Sequence, residues 1–125
     1  MKLSEVNFTD IQPPIDSYGP GFFRVSEALH YGPLLLGPTG IIPWKGAEDT
    51  APLGALSSTV DVLFWGAGTE IAPLPPSLKQ FVERHNLALE IMSTPSACRT
   101  YNVLLSEGRR VGLAALIVDN PLSDD

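Results

Sequence analysis

A chain of 125 residues is long enough for one domain around one core, and 44 % hydrophobic with 18 % charged residues is a globular composition rather than a disordered one. The net charge is -6: residues 1–60 carry three basic and six acidic side chains, residues 61–125 five and eight, so each part is -3. Neither part is a basic arm, which excludes nucleic acid and anionic membrane surfaces as expected partners, and a lone cysteine excludes an internal disulfide or a multi-cysteine zinc site.

Residues 1–20 are polar and proline-bearing and read as an N-terminal arm ending in "DSYGPG". The start has no apolar stretch, and Glu5, Asp10 and Asp16 do not suit a transit peptide. The longest apolar runs, such as "VGLAALIV" at 111–118, fall far short of the roughly 20 residues a membrane helix needs. The expectation is a soluble, cytoplasmic protein without direct membrane insertion. It comprises a single domain over 21–118 and a polar tail over 119–125.

The runs "FFRVSEAL" (22–29), "YGPLLLGP" (31–38) and "GIIPWK" (40–45) predict two to four short antiparallel strands. Pro33, Pro38 and Pro43 belong at strand ends or on an edge, since proline cannot donate to a ladder. Phe22 and Phe23 are adjacent, so in a strand they point to opposite faces. "GAEDTAP" (46–52) reads as a loop and "LGALSS" (53–58) as one or two helical turns.

From residue 60 the pattern changes. "VDVLFWGAG" (60–68) is a strand stopped by glycines, and "PSLKQFVERHN" (76–86) a helix with Leu78, Phe81, Val82 and His85 on one side. Asn86 can close it in the left-handed conformation. "LALEIM" (87–92) is a second strand, 94–107 a second helix, and "RVGLAALIV" (110–118) a third strand. Strand, helix, strand, helix, strand implies parallel neighbours joined by right-handed crossovers. The fold class is therefore α/β, three-layer, with a central mixed sheet: a C-terminal βαβαβ half joined to an N-terminal antiparallel region.

The stretch "STPSACRTYNVLL" (93–105) gathers the residues with most chemistry. Thr94 reads as the helix N-cap and Pro95 as the first helical residue. Ala97, Tyr101, Leu104 and Leu105 form the core stripe, with Cys98 on its border. A cysteine there is ordinarily inert packing, Tyr101 a core tyrosine with a bonded hydroxyl, and Arg99 a solvated side chain. The functional alternative is a small-molecule site at the carboxyl ends of the parallel strands, where a helix N-terminus favours an anion. Its candidate residues are Gly66, Gly68, Thr94, Cys98 and Arg99. "GAGTEI" lacks the third glycine of a dinucleotide fingerprint, and His30 and His85 lack metal-ligand spacing. No metal, cofactor or catalytic residue is assigned.

In order, "YGPGFFRV", "LLLGPTGIIPW", "LFWGAGTEIAPLP" and "MSTPSACRTYNVLLSEGRRVGLAALI" resemble the small α/β family of unknown function that includes mitochondrial complex I assembly factor 3. The resemblance spans about residues 18–118, and its final block is the most specific. It implies a three-layer α/β domain and, for the mitochondrial member, a non-catalytic role in assembling the respiratory NADH–quinone oxidoreductase. Where family loops often read Gly-Thr-Gly this chain has Gly66-Ala67-Gly68, and Ser93 stands where an aspartate is more usual. Two readings result: an assembly or interaction factor whose partners are protein subunits of a respiratory membrane complex, or a small-molecule (anion) binder or enzyme at the strand ends.

Overall fold

The structure, a computed structural model, describes residues 12–119. The first part of the expected N-terminal arm, 1–11, and most of the expected tail, 120–125, lie outside the described residues. The chain begins with an antiparallel sheet of three strands: β1 (Ser17–Gly19), β2 (Phe22–Val25) and β3 (Ala28–Tyr31). β1 lies inside what the sequence presented as an arm, because "SYG" has no apolar run and takes its strand form from pairing with β2. The β2–β3 hairpin turns within the run "FFRVSEAL", so the three runs supply four strands, within the expected two to four. Ser26 and Glu27 both have positive φ, 52° and 69°, the twist that suits a two-residue hairpin loop. The Asp16 carboxylate accepts from the Glu27 N–H at 3.1 Å and so supports the turn from outside it.

The second sheet has five strands in the order β5-β4-β8-β6-β7. β4 (Leu34–Gly37) and β5 (Gly40–Ile42) form a hairpin, and Pro33, Pro38 and Pro43 flank these strands as expected. Helix α1 (Thr50–Ser57) begins three residues earlier than predicted. Pro52 lies in its first turn, where no amide donor is required, so it does not mark the loop that the sequence suggested. Then come β6 (Val62–Gly66), α2 (Pro76–Arg84), β7 (Leu89–Met92), α3 (Thr94–Ser106) and β8 (Val111–Ala115). Asn86 closes the α2 region with φ of 54°, as the sequence predicts.

β6 pairs in parallel with both β7 and β8, and β8 pairs antiparallel with β4. The chain moves outward from β6 to β7 and then back across β6 to β8. Right-handed crossovers in opposite directions put their helices on opposite faces. Strand alternation divides the core accordingly. Leu34, Leu36, Phe64, Val111, Leu113 and Ala115 face α3 and the small sheet, meeting Phe23, Val25, Ala97 and Tyr101. Leu35, Leu63, Trp65 and Ala114 face α1 and α2, meeting Leu53, Leu56 and Leu78. Trp44 and Trp65 pack edge to face there, 5.7 Å between ring centroids. The result is the expected three-layer α/β fold with a mixed central sheet.

Helix α3 also ties down the entering chain. The Tyr101 hydroxyl donates to the Pro13 carbonyl at 2.6 Å and accepts from Gln12 Nε2 at 3.1 Å. Asn102 holds Ile15 by both backbone groups, accepting from its N–H at 2.8 Å and donating to its carbonyl at 2.9 Å. Replacing Asn102 by alanine removes both bonds and is expected to cost about 2 kcal/mol in denaturant unfolding. Proteolysis ahead of β1 should quicken at the same time.

Candidate functional site

Gly66 ends β6, Met92 ends β7, and α3 starts two residues beyond Met92. The N-cap is Ser93, not Thr94: its side chain accepts from the Ser96 N–H at 3.3 Å. Thr94 is the first helical residue, followed by Pro95, and its hydroxyl is engaged elsewhere. It accepts from the Gly68 N–H at 2.9 Å and donates to the Leu116 carbonyl at 2.7 Å. The Thr94 N–H donates to the Gly68 carbonyl at 2.7 Å, and the Leu116 N–H to the Gly66 carbonyl at 2.9 Å. One buried threonine thus joins the loops that leave β6 and β8 to the head of α3.

That junction needs the glycines. A Cβ on Gly66 would stand 2.7 Å from Thr94 Oγ1 and 2.9 Å from Thr94 Cα, closer than atoms tolerate. Gly68 has φ of +108°, a conformation that L side chains rarely adopt. Gly66, Gly68 and Thr94 are therefore brought together, and what they hold at close range is each other.

Cys98 lies one turn further along α3 and is buried; burial pushes its thiol up to about 12, so it is protonated at neutral pH. Arg99, next in sequence, is exposed on the solvent side of the helix. An open cleft of about 720 Å³ does lie at these strand ends, and Gly68 is in its wall. Its other lining residues include Thr69, Glu70, Leu116, Ile117 and Asp119, all absent from the sequence-derived set. They come from two segments far apart in sequence, joined where Thr69 Oγ1 accepts from the Asp119 N–H at 2.9 Å. No local pattern signals that meeting. Glu70 and Asp119 supply carboxylates, and among the described residues the lining has no basic side chain, so the electrostatics of that lining oppose an anion.

The family described as Protein of unknown function (DUF498/DUF598) matches residues 15–117, the whole of this fold. The chain belongs to that family. Among its relatives, an uncharacterised protein of Rhodobacter capsulatus is 53 % identical over 103 residues, covering 82 % of this chain and 83 % of that one. The human NADH dehydrogenase (ubiquinone) 1 alpha subcomplex assembly factor 3 is 32 % identical over 110 residues, covering 82 % of this chain but 59 % of its own length. The chain therefore spans about three-fifths of the length of the assembly factors it matches. Of solved structures, one described as an outer membrane protein from Bartonella henselae superposes with a TM-score of 0.77 at 33 % identity, covering 89 % of this chain and 99 % of that one. A Bordetella pertussis protein described as a Mth938-like domain gives 0.65 at 25 % identity, covering 90 % and 91 %.

This member of the family has a second feature, on the outer face of the β1–β3 sheet. Phe23 and Val25 point into the core, so Phe22 and Arg24 point out, opposite Tyr31 and Leu29 respectively. The Phe22 and Tyr31 rings are 6.3 Å apart, and the Phe22 ring lies over Gly19, where a Cβ would collide with it. Tyr31 is 75 % exposed and Leu29 41 %. No helix among the described residues is long and apolar enough to cross a membrane.

Proposed function

We propose that this protein is a non-enzymatic assembly factor acting from the cytoplasm. Its partner is a protein subunit of a membrane respiratory complex of the NADH–quinone oxidoreductase type. The observation that carries the reading is the exposed Tyr31, packed on a half-buried Phe22 and flanked by the exposed Leu29 and Arg24. Aromatic residues and arginine dominate the energetics of protein interfaces, and a rigid sheet presents them at little entropic cost. The likeness to NADH dehydrogenase assembly factors supports the class of partner, since the matched region is the folded domain itself. The small-ligand reading has weaker support: of its candidates, Gly68 alone is among the residues lining the cleft.

Co-purification from gently solubilised native membranes tests the proposal. The unaltered protein is expected to retain subunits of the respiratory complex. A Tyr31→Ser, Leu29→Ser double variant, altered only at exposed positions, is expected to retain less than about one-tenth as much, because losing an aromatic anchor costs 2 kcal/mol or more. If no such subunit is retained by the unaltered protein, or the variant retains as much, the reading fails.

A further inference from the structure

The outer edge of the five-stranded sheet offers a different surface. Among the described residues β7 pairs only with β6. The Ala88 carbonyl accepts from the Leu63 N–H and the Met92 carbonyl from the Ala67 N–H, so residues 88, 90 and 92 turn their backbone groups toward β6. By the two-residue period of a strand, Leu89 and Ile91 turn theirs outward, where no strand among the described residues pairs with them. The side chains of Leu89 and Ile91 fall on the α2 face of the sheet. There they form one wall of an apolar groove of about 600 Å³, with Leu74, Lys79, Val82 and Glu83 opposite. Glu90 points to the other face and is exposed, with no ion pair among the described residues.

We infer that β7 is a docking edge for an extended segment of a partner protein carrying an apolar–basic–apolar triplet. An added strand would bond the outward groups of Leu89 and Ile91 and place alternate side chains in the groove. Its middle residue would lie beside the Glu90 carboxylate. Charge decides which strand is accepted. A second copy paired about the centre of β7 would set Glu90 against Glu90, with -6 on each chain adding to the repulsion. A lysine or arginine in that place is attracted instead. The inference holds whether or not the partner belongs to a respiratory complex, since it rests on the edge and not on the Tyr31 face.

The probe is a blocked peptide, Gly-Thr-Val-Lys-Val-Thr-Gly, titrated into the full-length protein while backbone amide resonances are followed. Its counterpart carries glutamate at the centre. The lysine peptide is expected to shift Leu89, Glu90 and Ile91, and to bind about tenfold more tightly than the glutamate peptide. Glu90→Lys, a surface change that leaves the fold intact, should reverse that order. Equal binding of the two peptides, no shift at β7, or an unchanged order in the variant would overturn the inference. So would amides of Leu89 and Ile91 already protected from exchange in the free protein, because the edge would then be held by a second copy or by the chain itself.

Discussion

Exchanging Thr94 for valine is expected to lower the unfolding free energy by about 3 kcal/mol, the sum of two buried backbone groups left without partners. Valine keeps the shape of the side chain, so packing in this fully buried position is preserved and the loss isolates the hydroxyl. The Gly68 N–H loses its acceptor and the Leu116 carbonyl its donor. The neighbouring backbone bonds, Thr94 N–H to Gly68 and Leu116 N–H to Gly66, remain and keep the loops near their places. Thr94→Ser retains the hydroxyl and gives up one methyl, a change of about 1 kcal/mol. Urea unfolding of the three proteins checks this: the midpoint should fall in the order threonine, serine, valine, with an unchanged slope. A valine protein as stable as the parent would mean that the hydroxyl does not hold the junction.

The same substitution tests what Thr94 does for the cleft. Gly68, Leu116 and Ile117 belong to the cleft wall, and Thr94 bonds two of these residues from behind. Faster amide exchange at Gly68 in the valine protein, with exchange in β2 unchanged, would locate the loosening at the strand ends.

The arrangement of β6, β7 and β8 is legible in the sequence because buried parallel strands are short continuous apolar runs between helical periods, and "VLFW" and "VGLAALIV" are such runs. Less legible are features decided by contacts across the chain. The Ser26–Glu27 turn lacks the Asn-Gly signature of its class and is supported by Asp16, eleven residues before Glu27. β1 exists through its pairing with β2. In "MSTP" both Ser93 and Thr94 are competent caps. Local rules favour the threonine beside proline, but the Leu116 carbonyl and the Gly68 amide claim its hydroxyl and leave the cap to Ser93. The candidate site was legible to the same extent. Both glycines are among the candidates, and each is required for its own reason: Gly66 by the close approach of Thr94, Gly68 by its positive φ. Thr69, Glu70 and Asp119 carried no signal because the two loops that hold them meet only in the folded chain.

Raising the pH from about 9 to about 12 is expected to remove on the order of 3 kcal/mol of stability through Cys98 alone. Burial holds its thiol at about 12 in the folded protein, against 9.0 for an unperturbed group. Burial likewise pushes Tyr101 up to about 12 from 10.0; the Gln12 hydrogen bond draws it partly back, and proximity to Cys98 adds to the rise. The sign follows from proton counting. Above pH 9 the unfolded chain releases the thiol proton while the folded chain keeps it, so alkali favours unfolding. This stability is complete below the unfolded value and is lost as pH rises through the window toward the folded one. Tyr101 adds to the loss from about pH 10, but the two groups are neighbours on α3 and their contributions do not simply sum. Cys98→Ala and Tyr101→Phe should each be somewhat less stable than the parent at pH 7, through lost packing and lost hydroxyl bonds respectively. Each should also lose less on going to pH 11, with the double variant flattest. Denaturant titrations at a series of pH values measure that slope directly. A parent and double variant that lose stability in parallel above pH 9 would mean that neither buried group carries the alkaline transition.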